Sequence, residues 1–366
     1  MTRKRGNGEG SISRHATSGL YMARYYIETP TGRKRKTIYG KKRQEVADRL
    51  AKVLSDRAEG VVYDDENMTI GEYLDSWLKG AVYGSVRQST YDRYEIAVRV
   101  HIKPALDRVR LRKLNPAQVQ SFYRERLDAG FAPASVNKLH VTLHKALDQA
   151  VSWGMVPRNV TSVVKAPRPT GEEMRPLSTG EVKRLLEAAC GHRFRALYVL
   201  AAHTGMRQGE LLALKWQDMD LERGVVRVRR TITKSEGRIL LGEPKTKKSR
   251  RTVHLTRKSV EALREHLAGQ MKDIQCLGDL YSDQGLIFTT ESGGIVSPSN
   301  LRQRSFLPLL KRAKLPHMRF HDLRHTCATL LLSRNVHPKY VQELLGHANI
   351  AITLDTYSHV VPGMGD

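Results

Sequence analysis

"RFHDLRHT", residues 319–326, contains two histidines four residues apart, His321 and His325, with an acid directly after the first. On a helix these two histidines share a face. The spacing is close to the H-E-x-x-H pattern of zinc metalloproteases, with Asp322 where the glutamate stands. His321 and Arg324 are three apart and also share a face, and that pair indicates phosphate chemistry. The stretch alone leaves both interpretations open.

The composition indicates a polyanionic partner. Lys and Arg number 62 against 37 Asp and Glu, which gives a formal net charge of +25 over 366 residues. Such an excess favours nucleic acid, although a solvated basic surface would give the same count. Hydrophobic residues make up 40% of the chain, which is enough for a folded core. The length allows two or three domains.

The cysteines and the apolar runs exclude several classes of protein. Cys190, Cys276 and Cys327 fit neither a zinc ribbon nor a disulfide framework, and a reducing cytoplasm suits them. No apolar run approaches the roughly 18 residues of a membrane span, so we expect no membrane partner. The basic N-terminus has no apolar segment behind it and is not a signal peptide.

The N-terminal part, residues 1–65, is predicted to be a small basic domain. The segments "GSISRH", "LYMARYYIE" and "RKRKTIYG" are typical of strands, and "TPTG" is a turn signal. The segment "KKRQEVADRLAKVL" has helical spacing. We therefore expect a small sheet with one helix against it. Its basic residues indicate contact with DNA, and the alternative is a solvated basic face.

The rest of the chain is predicted to form two more domains. Residues 66–168 are predicted to be all helical, with Asn115 and Pro116 starting one helix and hydroxyl residues suited to capping at "STYDRYE". The Pro-rich segment 165–177 is typical of a linker, and "STGE" after it is a capping box. Residues 169–366 are predicted to be mainly helical with a small sheet. The fold class is thus mixed α+β and multidomain.

Three further stretches of the third domain can carry chemistry. In "TGMRQGEL", Arg207 lies among apolar neighbours, so its charge needs a partner, and Glu210 is the local candidate. In "EPKTKKSRRTVHL", a basic cluster stands at a predicted β-hairpin tip, where the alternative is a solvated charge run. In "LLGHANIAITLDTYSH", His347 is followed ten residues later by Tyr357.

Together these motifs resemble the tyrosine recombinase (phage integrase) family. The ordered set "TGMRQGEL", "PKT" with "RRTVHL", "HDLRHT", "LLGH" and "DTYSH" falls within residues 204–359. The three-part layout resembles integrases with an extra N-terminal domain for arm-type DNA sites. On this resemblance residues 66–168 correspond to the SAM-like core-binding domain.

The resemblance implies metal-free and ATP-free transfer of a DNA strand to a tyrosine. It implies catalytic roles for Arg207, Lys245, His321, Arg324, His347 and Tyr357, with Glu210 in support. Tyr357 resembles the nucleophile that forms a 3′-phosphotyrosyl link, and His321 can accept its proton. The arginines and His347 suit phosphate oxygens, and the lysine suits protonation of the leaving 5′ oxygen. Lys247 and Lys248 are alternatives to Lys245, because the register of this lysine-rich segment is uncertain.

The resemblance also implies partners and leaves rivals to test. It implies double-stranded DNA with core-type and arm-type sites, a homotetramer on DNA, a host DNA-bending protein and an excision factor. No cofactor or metal is expected. The rival functions are a zinc hydrolase built on His321 and His325, a helical DNA-binding regulator, and a type IB topoisomerase.

Overall fold

The structure of the 366-residue chain is a computed structural model. It describes residues 11–29, 32–58, 67–168, 175–235, 238–244 and 249–357. The chain divides into two compact units, Met1–Gly171 and Glu172–Asp366. Among the described residues, no helix is both long and apolar enough to cross a membrane.

The first unit begins with a three-stranded antiparallel sheet and one helix. The elements are β1 (Ser11–Arg14), β2 (Tyr21–Thr29), β3 (Gly32–Gly40) and α1 (Arg43–Ala58). Side chains alternate across a strand, so β2 turns Ala23 and Tyr25 to one face and leaves Arg24 exposed on the other. The first two pack against Val46 and Leu50 of α1. The predicted sheet with one helix is confirmed.

Over residues 67–168 of the first unit the main elements are helices. They are α2 (Ile70–Trp77), α3 (Gln88–Ile96), α4 (Lys103–Leu106), α5 (Pro116–Asp128) and α6 (Pro133–Ser152). The buried residues of α6 recur at helical spacing and join one apolar core with α2 and α5. Asn115 caps α5 as predicted, with Gln118 as its reciprocal partner. The expected hydroxyl cap of α3 is wrong, because that helix begins at Gln88 after Arg87, which makes no side-chain capping bond.

In its described residues, the second unit is mainly helical with two small sheets. Its helices are α7 (Thr179–Ala188), α8 (Arg195–Thr204), α9 (Gln208–Leu211), α10 (Arg257–Leu277), α11 (Pro298–Leu301), α12 (Leu307–Arg312), α13 (Asp322–Leu332), α14 (Pro338–Leu345) and α15 (Ile350–Tyr357). Its strands are β4 (Met219–Asp220), β5 (Val225–Val228), β6 (Thr231–Ser235), β7 (Arg238–Gly242) and β8 (Arg251–His254). Ser178 and Glu181 form the predicted capping box of α7.

One detail of the strand prediction is wrong. β6 and β7 pair as a two-stranded hairpin, whereas β8 pairs with β5 in the sheet β4-β5-β8. The basic segment before β8 therefore does not join two strands that pair with each other. The sequence indicated that this part of the chain contains strands, but it did not show which strands are partners.

The core of the second unit fixes the position of the site. Helix α8 is apolar on nearly every side and lies in the middle of this core, as expected for a helix surrounded by other elements. It ends at Gly205, whose φ of 58° is left-handed. A Cβ at this glycine would come within 2.6 Å of a methyl carbon of Leu345. The close approach brings the end of α8 against the end of α14.

Candidate active site

Arg207, Glu210 and Arg251 form a partly buried charge cluster between the end of α8 and the start of α9. The Glu210 carboxylate accepts hydrogen bonds from Nη1 of Arg207 at 2.8 Å and from Nη2 of Arg251 at 2.9 Å. It also accepts the backbone N–H of Arg207 at 3.0 Å. Burial raises the pKa of the Glu210 carboxyl, but the two arginines outweigh burial and hold that pKa below its usual value. Glu210 therefore stays ionised and orients both guanidinium groups.

The three side chains differ in their exposure to solvent. The side chain of Glu210 is 2% exposed and that of Arg251 is 7% exposed, whereas that of Arg207 is 38% exposed. Arg207 is thus the member of this cluster that solvent, or a phosphate in its place, can reach. Glu210 and Arg251 lie behind it.

Arg251 was not predicted as a site residue. It starts β8, and its Nε donates to the carbonyl of Leu344 at 2.6 Å. A signal was available in "RTVH", because alternation along a strand puts Arg251 on the same face as the buried Val253. An arginine on the inner face of a strand must find acceptors in the core.

The C-terminal end of α14 is held by two arginines. Its last carbonyls, those of Leu344 and Leu345, accept from Nε of Arg251 at 2.6 Å and from Nη2 of Arg324 at 2.7 Å. Carbonyls at a helix end lack partners within the helix, and the negative end of the helix dipole favours cations. Gly346 follows with a left-handed φ of 66°, and a side chain there would press on Arg251. The turn that leads to His347 is therefore fixed by charge and by packing.

Arg324 projects from α13 and joins two parts of the site. Its Nη1 donates to the carbonyl of Gly205 at 2.8 Å, while its Nη2 reaches Leu345. Burial and the charge of Arg207 lower the pKa of Arg324 to about 9, so it remains cationic at neutral pH. A guanidinium has five N–H donors, and these two bonds leave donor capacity for a phosphate oxygen.

His321 lies at the start of α13 and is exposed. Surrounding atoms partly desolvate its imidazole, and His325, Arg324 and Arg207 stand near it, so its pKa is lowered to about 4. Its ring meets that of His325 edge to face, with centroids 5.1 Å apart. His321 is therefore neutral near pH 7. The following Asp322 accepts the backbone N–H and the guanidinium of Arg319, and it orders the turn into the helix.

His347 follows α14 and is held on two sides. Its Nδ1 is hydrogen-bonded to Oγ1 of the fully buried Thr353 at 2.9 Å. Its carbonyl accepts from Nε2 of Gln342 at 2.7 Å. Burial, with Arg324 and Arg207 nearby, lowers the pKa of His347 to about 4. This imidazole is thus also neutral near pH 7.

Tyr357 ends α15 and is the last residue that the structure describes. It is 1% exposed and packs in an apolar cluster with Leu332, Val341 and Leu345. Its hydroxyl lies 2.7 Å from Nδ1 of His325. Burial raises the pKa of Tyr357 to about 12 and outweighs the charge of Arg324, which lowers it. The phenol is therefore protonated near pH 7.

The structure brings most of the predicted site residues into one region of the second unit. Both histidine pKa values respond to the same two cations, Arg207 and Arg324. Lys245, with its alternatives Lys247 and Lys248, lies outside the described residues. Sequence reasoning missed Arg251, and it considered His325 for catalysis only as a metal ligand of the rival zinc site.

The region can serve two chemical tasks. Its cations can bind an anion, and its phenol and neutral imidazoles can transfer protons. Two guanidinium groups near one point suit the charge that develops on a phosphoryl group during transfer. Within the described ranges, no group of three or more His, Cys, Asp or Glu side chains has the arrangement of a metal site.

Comparison with solved structures defines the class of fold. The integrase of the Tn1549 transposon, solved with transposon right end DNA, superimposes with a TM-score of 0.69 at 20% identity over 79% of this chain and 95% of that one. A lambda integrase tetramer bound to a Holliday junction gives 0.59 at 21% identity over 99% and 98%. The fold is that of integrases, and the predicted mixed α+β class is confirmed.

Sequence comparisons identify the family. The sequence model described as "Phage integrase family" matches residues 175–363, and that described as "Phage integrase, N-terminal SAM-like domain" matches residues 69–127. A protein of Caldanaerobacter subterraneus subsp. tengcongensis, described as "Tyrosine recombinase XerC-like", is 35% identical over 90% of this chain and 88% of its own length. This chain belongs to the phage integrase family of tyrosine recombinases, which cleave and rejoin DNA strands.

Proposed function

We propose that this chain is the integrase of a mobile element and that it integrates or excises the element through a 3′-phosphotyrosyl intermediate at Tyr357. The observation that carries the proposal is the position of that tyrosine. It is the terminal residue of a helix packed on α13, and it lies within electrostatic range of Arg324. The integrases that share this fold are described as those of a transposon and of lambda.

Each predicted residue then has a role in the transfer. Arg207 and Arg324 bind the non-bridging oxygens of the scissile phosphate, and Glu210 holds the first of them in place. His347 and His321 are neutral and can each offer one N–H to a phosphate oxygen. Lys245 protonates the leaving 5′ oxygen. The site needs no metal, because its cations supply the charge that Mg²⁺ supplies in many nucleases.

The predicted domains extend the proposal to DNA binding. Residues 1–65 bind arm-type sites and residues 66–168 bind core-type sites, while residues 169–366 carry out catalysis. The exposed Arg24 of β2, beside the basic β3, supports the first assignment. We further propose a homotetramer on double-stranded DNA in the bacterial cytoplasm, assisted by a host DNA-bending protein and an excision factor.

The test is covalent trapping on DNA that flanks the gene of this protein. Nicked duplexes tiled across that DNA lose the cleaved fragment, so the phosphotyrosyl adduct accumulates. We expect an adduct that mass spectrometry maps to Tyr357 and that Tyr357→Phe abolishes without loss of DNA binding. An adduct on another residue, or on the Phe variant, would refute the assignment. Strand exchange between two duplexes separates a recombinase from a relaxing topoisomerase.

A further inference from the structure

The hydroxyl of Tyr357 is hydrogen-bonded to an imidazole nitrogen in the structure. Its oxygen lies 2.7 Å from Nδ1 of His325, and the two ring centroids are 5.8 Å apart. When the neutral imidazole carries its proton on Nε2, Nδ1 offers a lone pair and accepts the hydrogen bond from the phenol. His321 contacts the ring of His325 and not the tyrosine hydroxyl.

We propose that His325 is a catalytic residue that accepts the phenolic proton of Tyr357 as general base. The assignment rests on the proposed role of Tyr357 as nucleophile. It replaces the sequence-based expectation that His321 takes this proton. His321 then remains with the two arginines at the phosphate.

The proton and the bonds balance over the two steps. In cleavage, the Tyr357 oxygen bonds to phosphorus, its proton moves to Nδ1 of His325, and the phosphorus–O5′ bond breaks. The departing O5′ takes a proton from Lys245. In rejoining, a 5′ hydroxyl attacks the phosphotyrosine and returns a proton to the lysine. The tyrosine oxygen leaves and recovers its proton from His325.

The surroundings of His325 suit this task. Burial lowers the pKa of His325, and Arg319 and Arg324 lower it further, while Asp322 raises it. Among the described residues, His321 and Tyr357 also contact its ring. The ring is therefore neutral near pH 7, as a base must be. The Asp322 carboxylate, one turn before it on α13, favours the imidazolium that forms.

The relative acidities fix the timing of the transfer. The pKa of Tyr357 is about 12, whereas that of His325 is below its usual value of 6.5. Transfer of the proton to His325 before attack is therefore unfavourable. As the oxygen bonds to phosphorus, the phenol becomes more acidic, so the proton moves together with the attack.

The variant His325→Asn distinguishes a histidine that acts as a base from one that only positions Tyr357. The asparagine Oδ1 stands near the place of Nδ1 and accepts the same hydrogen bond, but it cannot hold the proton at neutral pH. If the histidine only positions the tyrosine, His325→Asn should cleave nearly as fast as the wild type. If it is the base, single-turnover cleavage of the trapping duplex should fall about 10²- to 10⁴-fold at pH 7.

The pH profile gives a second readout that a structural role would not change. The rate of His325→Asn should rise with pH as the phenol ionises without help, and it should approach the wild-type rate in alkaline buffer. A fluorinated, more acidic tyrosine at position 357 should restore part of the lost rate. The pH profile and the fluorotyrosine rescue require only that the variant binds DNA, which a mobility-shift assay checks.

Two matched variants complete the experiment. His321→Asn tests the rival base in the neighbouring ring, and His317→Asn replaces an exposed histidine outside the site. The proposal is overturned if His325→Asn keeps its rate to within about threefold, or if the pH-dependent loss and the rescue by fluorotyrosine follow His321→Asn. An adduct in Tyr357→Phe would instead refute the proposed nucleophile, whatever the His325 variant does.

Discussion

Arg251 and Glu210, which are 41 residues apart in the chain, share a hydrogen bond of 2.9 Å with both side chains almost excluded from solvent. The same arginine holds the end of α14 through the Leu344 carbonyl. One side chain thus joins the support of Arg207 to the segment that carries His347. The integrity of the phosphate site depends on a residue that stands behind it.

We predict that Arg251→Ala lowers both stability and cleavage. The change leaves the buried Glu210 short of one cation and the Leu344 carbonyl without its donor, and breaking such a pair costs about 3–5 kcal/mol. Thermal unfolding and single-turnover cleavage measure the two effects. Arg250→Ala is the matched control, because Arg250 pairs with Glu243 at the surface, where such pairs contribute little. Equal effects of the two variants would contradict the prediction.

We predict that Thr353→Val slows cleavage by about 3- to 10-fold, the equivalent of roughly 0.5–1.5 kcal/mol for one hydrogen bond. Valine keeps the shape of threonine but removes the hydroxyl that fixes Nδ1 of His347. Thr356→Val is the control, since that hydroxyl bonds to the Ile352 carbonyl within α15. A rate equal to that of the control would show that the orientation of His347 does not need Thr353.

We predict that acid destabilises the second unit partly through His347. Its pKa is about 4 when folded, below the ordinary 6.5. Between these values the unfolded chain binds a proton that the folded chain does not, so stability is complete above pH 6.5 and falls as the pH drops toward 4. Unfolding by denaturant at pH 7.5 and at pH 4.5 should show a smaller decrease for His347→Asn than for the wild type. Equal decreases would argue against the shift.

We predict full cleavage activity in EDTA, since the charge at the phosphate comes from arginines. Covalent adduct formation with and without the chelator is the measurement. Loss of the adduct in EDTA, followed by recovery with zinc, would revive the interpretation of His321 and His325 as metal ligands. Recovery with magnesium would indicate a magnesium site outside these two histidines.

The sequence predicted the fold class and the family because both depend on local patterns. Helical spacing, capping boxes and strand alternation act over a few residues, and the ordered motifs around Arg207 and Tyr357 need no knowledge of contacts. The strand partners of β8 and the role of Arg251 could not be predicted in this way. Both depend on which segments meet after folding.

His325 illustrates the same limit at the level of chemistry. The spacing in "RFHDLRHT" correctly placed it near His321, and their rings do touch. Nothing in the stretch indicated that Tyr357, 32 residues later, would reach Nδ1 of His325. Helix periodicity gives the face on which a side chain lies, but packing decides what covers that face.

Thr353 and Tyr357 lie four residues apart on α15, so they project from the same side of one short helix. Each is bound to a different histidine, one after α14 and the other on α13. A displacement of α15 as a rigid helix that carries the tyrosine away from His325 also pulls the threonine from His347. A protomer whose α15 has swung out therefore loses its nucleophile and the orientation of one phosphate donor in the same movement. Such a protomer would not cleave its own phosphate at all, instead of cleaving it slowly.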